Sequence, residues 1–318
     1  MDFRRQILQR CQQSLCALLL TSGLAGLPGC LANPECNGTD TSCDPIALTT
    51  LLSAIQTSAA AATEPRWVIV GTAGLVYYSP SGDDGSWVDA SPGGGDLQAV
   101  AFGPAGFVAV GATGRVISSP TGLPGTWTEQ TSGTALDLAA IVYEATTGLY
   151  VAAGGAMAAS DLILTSNDGV SWTDRSLGLT DRLRDIVYAG TQFVAAGRSG
   201  QIATSNDGIL WADSSATGFD WRAIAYNPAG TLLFENGGGQ LHTVATVAGL
   251  PNNTGSHASA NLESALFYGN GGFFILGGDD GQIYTTATGT GAEAQAYYGP
   301  DNRWHMTTAG TRGVQASG

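Results

Sequence analysis

The feature of the sequence that most restricts the fold is a repeat of about 40 residues that fills the chain from residue 66 onward. Each unit contains an apolar run that usually begins with an aromatic residue and ends in glycine, as in Phe107–Gly111 and Phe193–Gly197. Six closing glycines follow one another at spacings of 40, 43, 43, 40 and 40 residues: Gly71, Gly111, Gly154, Gly197, Gly237 and Gly277. A sustained period of this length, made of short β-like segments and lacking heptads, is typical of propeller blades.

Each unit contains four segments with strand character. In the second unit these are Leu97–Phe102, the aromatic run, Val116–Ser119 and a segment that begins at Trp127. Glycine-rich turns separate the segments. The segments are almost continuously apolar, as expected for sheets that neighbouring sheets cover on both faces. The sequence therefore predicts an all-β fold, a six-bladed β-propeller of four-stranded blades that spans residues 66–308.

The first unit lacks a first strand before its aromatic run at Trp67. Near the C-terminus, Arg303–Thr308 is similar to Asp220–Ala225, which begins a first strand in the fifth unit. We therefore predict that this C-terminal strand completes blade one and closes the propeller, which leaves no exposed blade edge. Residues 309–318 are predicted to be a C-terminal tail.

Residues 1–29 have the layout of an export signal peptide. Three arginines precede an apolar run from Leu15 to Leu27 that is too short for a confident membrane span. The run ends in Leu27–Cys30, which resembles the lipobox of bacterial lipoproteins and implies lipidation of Cys30. An ordinary signal peptide is the alternative, and export through the general or the twin-arginine route stays open. Leu31 is not aspartate, which by the same resemblance favours an outer-membrane lipoprotein, facing the periplasm or the cell surface.

Residues 30–65 are predicted to be a tether that links the lipid to the propeller. Cys36 and Cys43 lie close together in a chain that we expect to be exported, so the pattern indicates a small disulfide loop. No histidine or third cysteine lies beside them, so we expect no metal site there.

The charge composition excludes several classes of function. The chain has a formal net charge of −14, and its 12 basic residues are all arginines. An acidic chain without lysine is unsuited to nucleic acid, and it has no P-loop lysine and no lysine Schiff base. The three histidines, His242, His257 and His305, are far apart in sequence. We therefore expect no cofactor and no metal.

Three of the turns before a fourth strand begin with serine, have an aspartate two residues later and a glycine one or two residues after it, and end at a tryptophan: Ser81–Trp87, Ser166–Trp172 and Ser205–Trp211. They resemble shortened Asp-box (BNR) repeats, which occur in sialidases, in photosystem-assembly-factor-like propellers and in many exported bacterial proteins. In such a turn the aspartate accepts backbone N–H groups and glycine supplies a positive φ. Asp83, Asp168 and Asp207 are therefore predicted to be structural Asp-box residues.

The sialidase resemblance does not extend to a recognisable active site. A sialidase-like enzyme implies a Phe/Tyr-Arg-Ile-Pro motif, whereas the nearest segment here reads Pro65–Val68. No nucleophile elbow or zinc-protease motif is present, and we predict no catalytic residue. Because glycosidase chemistry needs only two carboxylates, a divergent glycoside hydrolase remains the alternative function.

The candidate ligand-binding residues lie where the loops of neighbouring units should meet at one end of the channel. The second residues of the innermost strands form a predicted ring: Gln98, Ala139, Arg184, Arg222, Glu263 and His305. The full predicted ligand-binding set is Arg182, Arg184, Arg198, Arg222, Trp221, Glu263, Asp279, Asp280, Trp304 and His305. Arginine forks suit carboxylates, although the same residues can pair with nearby aspartates as solvated loop charges. The favoured function is a monomeric, non-catalytic module that binds a protein or glycan of the cell envelope, and an assembly factor for a membrane complex is a further alternative.

Overall fold

The computed structural model describes residues 66–81, 85–216, 218–237 and 239–250, together with the backbone of six short strands between residues 253 and 316. All of these belong to one compact unit, Thr63–Gly318. The export signal, the lipidation site Cys30 and the Cys36–Cys43 loop lie outside the described residues. No helix in the described ranges is long and apolar enough to cross a membrane.

The described strands form six antiparallel sheets of four strands each. In chain order they are β1 (Arg66–Val70), β2 (Val76–Ser79), β3 (Val88–Asp89), β4 (Leu97–Gly103), β5 (Gly106–Gly111), β6 (Val116–Ser119), β7 (Thr128–Gln130), β8 (Leu138–Glu144), β9 (Leu149–Ala156), β10 (Ser160–Ser166), β11 (Thr173–Asp174), β12 (Leu183–Tyr188), β13 (Phe193–Gly197), β14 (Ile202–Ser205), β15 (Ala212–Asp213), β16 (Trp221–Asn227), β17 (Thr231–Asn236), β18 (Gln240–Val244), β19 (Asn253–Ser256), β20 (Leu262–Tyr268), β21 (Phe273–Gly278), β22 (Ile283–Thr286), β23 (Glu293–Gln295) and β24 (Val314–Ala316). Short 3-10 turns lie at Thr72–Gly74, Ala112–Gly114, Arg198–Gly200 and Val247–Gly249.

Five of the sheets are simple meanders of four consecutive strands, as the repeat predicts. The first sheet differs, because its order is β24-β1-β2-β3 and its innermost strand comes from the C-terminus. Val314 pairs with Val68, and Ala316 pairs with Arg66. The pairing strand therefore lies within the segment that the sequence assigned to a tail, whereas the predicted strand at 303–308 lies outside the described residues. Likeness between repeats could not decide which C-terminal segment reaches the edge of β1.

The hydrophobic core consists of clusters that each join two neighbouring sheets. In one of them, Val108 and Val110 of β5 pack with Leu138, Ile141 and residues of β9 and β10 in the next sheet. Every residue of β5 is buried. Alternate side chains of a strand point to opposite faces. Each sheet therefore contributes side chains to its interfaces with both neighbouring sheets, and we call these interfaces seams. This double burial explains the continuously apolar strands.

The first two strands of five sheets share an irregularity at one residue. The register of their pairing shifts across the second residue of the first strand, as between Leu97 and Ala99. Residues at this position are Gln98, Ala139, Arg184, Arg222 and Glu263. A β-bulge changes the direction of the side chain that it carries. In these five sheets the bulge therefore lies at the same position, near the start of the first strand.

Candidate functional site

Four arginines lie at one end of the fourth and fifth sheets. Arg182 precedes β12, and Arg184 occupies the bulge of that strand. Arg198 begins the 3-10 turn after β13, and Arg222 occupies the corresponding bulge in β16. All four are partly buried, and the Arg184 side chain is only 15% exposed. We refer to these four residues as the arginine cluster.

The charges of the cluster act on one another. Burial lowers the pKa of Arg184, and the positive charges of Arg182, Arg222 and Arg198 lower it further, whereas Asp220 raises it. Three neighbouring guanidinium groups therefore contribute to the potential at Arg184. A site with several like charges in a partly desolvated setting favours an ion of opposite charge between them.

Asp181 is the buried counter-charge of the cluster. Its Oδ1 accepts the backbone N–H groups of Ala158 at 3.0 Å and Arg182 at 2.9 Å. Its Oδ2 accepts the Ser199 hydroxyl at 2.9 Å and lies 3.6 Å from Arg198 Nε. Burial raises the pKa of Asp181, but these hydrogen bonds and Arg198 outweigh it, so the pKa lies below its ordinary value. The carboxylate is ionised, and it acts mainly as an acceptor for backbone N–H groups.

The other two nearby carboxylates are also engaged with backbone groups. Asp185 is buried and accepts the N–H groups of Ile186 at 2.9 Å and Ile224 at 2.8 Å. Asp220 Oδ1 accepts Ser199 N–H at 3.0 Å, while its Oδ2 lies 3.9 Å from Arg184 Nη2. A separation of 3.9 Å is an ion pair without a hydrogen bond. Neutralisation of Arg184 by Asp220 is therefore incomplete.

Several guanidinium nitrogens of the cluster are buried and make no hydrogen bond within the described residues. They are Nε of Arg182 and both Nε and Nη1 of Arg184. A buried donor without an acceptor costs about 1–3 kcal/mol, and more when it is charged. An anionic group that enters the cluster would accept from these donors, and a carboxylate or phosphate matches the planar fork of arginine.

The structure shows a role for aspartates that the sequence analysis missed. Four aspartates that precede a first strand each accept the N–H of a left-handed residue in the second-to-third-strand turn of the preceding sheet. The pairs are Asp96 with Ala73 (2.7 Å), Asp137 with Thr113 (2.8 Å), Asp181 with Ala158 (3.0 Å) and Asp220 with Ser199 (3.0 Å). These four bonds, which we call the aspartate latches, join neighbouring sheets. A recurring aspartate one or two residues before four of the first strands was the signal in the sequence.

The latches hold a strained turn in place. The residues that donate to them have φ between 52° and 55°, a region that costs a residue with a Cβ roughly 1–2 kcal/mol. In three of the turns a glycine with φ between 70° and 74° follows. A charge-assisted bond to the exposed N–H offsets this strain. Asp181 and Asp220 therefore position both the turn that carries Arg198 and the start of the strands that carry Arg184 and Arg222.

Of the remaining predicted ligand-binding residues, one belongs to the core, one is described only by its backbone, and four lie outside the described residues. Trp221 is fully buried, with its ring stacked on Phe219 and packed against Phe234, so it belongs to the core rather than to a ligand face. The backbone of Glu263 lies in β20 at the bulge position. Asp279, Asp280, Trp304 and His305 lie outside the described residues.

The aspartate turns lie at the other end of the sheets. Asp168 Oδ1 accepts the N–H groups of Val170 and Ser171, and Asp207 Oδ1 accepts those of Ile209 and Leu210. These bonds lower the pKa of Asp168 to about 2 and lower that of Asp207 below its ordinary value. The contacts give both carboxylates a structural role in their turns. Asp83 lies outside the described residues.

A glycine in each aspartate turn packs against the preceding sheet. Gly169 and Gly208 have φ of 69° and 74°. A Cβ on Gly169 would lie 2.7 Å from Val108 Cγ2, and one on Gly208 would lie 2.9 Å from Leu149 Cδ1. The interface between the second and third sheets and that between the third and fourth are thus each held by a latch at one end and by a glycine turn at the other. Among the residues that the structure describes, no group of three or more potential ligands could hold a metal ion.

Comparisons with known proteins support the fold and leave the function open. No protein-family model matches the chain. No curated protein matches it either. Among solved structures, the chain is similar to the WD40 β-propeller domain of Doa1, with 13% identity and a TM-score of 0.57. The match covers 75% of this chain and 80% of that one. Likeness at this level of identity shows the β-propeller fold alone.

Proposed function

We propose that the chain is a closed six-bladed propeller of the Asp-box type that acts as a non-catalytic binding or assembly module. The six described sheets and the pairing of β24 with β1 support six blades and closure. The bonds within the turns of Asp168 and Asp207 support the Asp-box assignment. The ligand is a protein or glycan that presents an anionic group to the arginine cluster.

The buried donors of Arg182 and Arg184 that have no acceptor among the described residues carry this proposal. Asp181, Asp185 and Asp220 are already engaged with backbone amides. The same engagement makes Asp181, Asp185 and Asp220 poor acid or base catalysts, because proton transfer would break bonds that hold the fold. The cluster is therefore better suited to binding than to glycoside hydrolysis.

We expect the double substitution Arg184→Gln with Arg222→Gln to weaken binding of an anionic polymer ten- to hundredfold, because charge-assisted hydrogen bonds in a desolvated site are lost. Isothermal calorimetry with polyglutamate and with polygalacturonate would measure the effect and separate a peptide from a glycan preference. The melting temperature should change little, since the 3.9 Å pair between Arg184 and Asp220 is weak.

The control is Asp174→Asn, which changes one exposed charge of the third sheet outside the arginine cluster. This control should bind both polymers as the wild type does. Binding of both polymers by the double variant with unchanged affinity would show that the arginine cluster is solvated surface and would overturn the proposal.

We further propose that the module is an exported bacterial lipoprotein that is anchored to the outer membrane through Cys30. The lipobox-like segment before Cys30 supports this location.

Cys30→Ser should move the mature protein from the membrane fraction to the soluble fraction, as measured by immunoblotting after ultracentrifugation. Cys43→Ser is the control and should remain with the membranes. Wild-type protein in the soluble fraction would contradict the anchor.

A further inference from the structure

A cavity lies at the end of the sheets that is opposite to the arginine cluster. Phe193 at the start of β13 pairs with Ser205 at the end of β14, whereas Arg198 follows the other end of β13. The turn of Asp207, just after Ser205, is therefore remote from the cluster. This turn and the corresponding turn of the third sheet border a cavity of about 300 Å³, which we call the seam cleft.

The lining of the seam cleft combines opposite charges with a small apolar surface. Asp168 and Asp207 contribute two carboxylates, and Arg175 contributes a guanidinium group. Leu149 and Ile209 supply aliphatic contacts, and Ile209 is 47% exposed. Threonine and serine hydroxyls complete the wall. A cavity at the small end of the range for ligand sites, with a few charged groups at fixed places, suits a small molecule rather than a polymer chain.

The charged groups of the cleft are held in place but retain capacity for a ligand. The backbone N–H groups of the two turns donate to Oδ1 of Asp168 and of Asp207. These bonds fix the orientation of each carboxylate, and they do not involve its Oδ2. Arg175 Nε is buried and has no hydrogen-bond partner among the described residues. Its backbone N–H donates to Ile163 O at 2.8 Å, which fixes the residue beside β10. A carboxylate in the cleft would accept from Arg175, and an ammonium group would donate to the aspartates.

We propose that the seam cleft binds a small zwitterion of the size of a dipeptide. In this arrangement the ligand carboxylate pairs with Arg175, the ligand ammonium group pairs with Asp168 and Asp207, and an aliphatic side chain contacts Leu149 and Ile209. The site is independent of the arginine cluster, since it lies at the other end of the sheets and uses none of the same residues.

Three related probes test the pairing of charges. Glycyl-leucine carries both charges, N-acetyl-glycyl-leucine lacks the ammonium group, and glycyl-leucinamide lacks the carboxylate. We expect glycyl-leucine to bind with a Kd between about 10 μM and 1 mM, and each modified probe to bind about tenfold or more weakly. Calorimetry would give the affinities, and amide chemical shifts of residues 165–175 and 205–210 would locate the site.

Each substitution in the cleft should remove one of the two preferences for glycyl-leucine over a modified probe. Asp207→Asn keeps an acceptor for the turn, and it should abolish the preference for glycyl-leucine over its acetylated form. Arg175→Gln should instead abolish the preference over the amide. Asp174→Asn is the control, because Asp174 is exposed and does not line the cleft, and its carboxylate bonds only to Ser176 among the residues that the structure describes. This control should leave all three affinities unchanged.

Three results would overturn the proposal. The first is the absence of amide shifts at the cleft with glycyl-leucine up to roughly 10 mM. The second is equal affinity for all three probes, and the third is the same discrimination in Asp207→Asn and Arg175→Gln as in the wild type. Thermal melts that match the wild type would show that the variants are folded.

Discussion

Deletion of residues 312–318 is expected to abolish cooperative thermal unfolding. The deletion removes β24 and leaves the innermost edge of β1 unpaired, including the register positions of Trp67 and Val68. Val68 is fully buried and belongs to the core that joins the first and second sheets. An exposed, apolar strand edge is a template for association with other chains. We therefore expect aggregation or a broad transition in place of a single sharp one.

Calorimetry and static light scattering during heating would measure this effect. Deletion of residues 317–318 alone is the matched control, because it shortens the chain beyond β24 and should melt like the full protein. A protein without residues 312–318 that unfolds in one sharp transition at the wild-type temperature, without scattering, would contradict the pairing of β24 with β1.

Asp181→Ala should be the most destabilising single substitution at the arginine cluster. The buried carboxylate accepts hydrogen bonds from Ala158, Arg182 and Ser199 and lies beside Arg198. Its removal leaves buried donors and a cation without their partner. We expect a loss of about 3 kcal/mol in the free energy of unfolding. For a unit of this size the melting temperature should fall by roughly 6–12 °C.

Asp174→Ala provides the comparison for Asp181→Ala. Asp174 is exposed, and its hydrogen bonds are to Ser176, two residues away. Its loss should cost less than about 1 kcal/mol. Urea denaturation followed by tryptophan fluorescence would measure both values. Equal stability losses in the two variants would show that the latch at Asp181 does not hold the third and fourth sheets together.

Much of the fold could be predicted because the repeat is regular. The aromatic runs mark the second strand of every unit, and the spacing of their glycines places the strands to within a few residues. The sequence also aligned Arg184 with Arg222, since both occupy the second position of a first strand. In the structure both residues occupy a β-bulge. A bulge depends on the pairing of two strands and cannot be recognised from the sequence of one strand.

The details that the sequence could not provide depend on contacts between units. Trp221 looked like a ligand-binding aromatic because it stands beside Arg222, whereas alternation along the strand directs its ring into the core. Asp96 and Asp137 join neighbouring sheets through contacts that are distant in sequence. Their partners, Ala73 and Thr113, lie 23 and 24 residues earlier in the chain and belong to the preceding sheet. No local pattern could connect them.

The aspartate latches also allow neighbouring sheets to be joined in order as the chain is synthesised. Each latch joins a turn to an aspartate that follows it by 21 to 24 residues, at the beginning of the next sheet. A sheet therefore gains its latch as soon as its successor starts to emerge, and assembly can proceed one unit at a time behind the ribosome. The first sheet is the exception, because β1 to β3 are made first but wait for Val314–Ala316. Among the described strands, the earliest to be made are thus the last to receive their full set of partners.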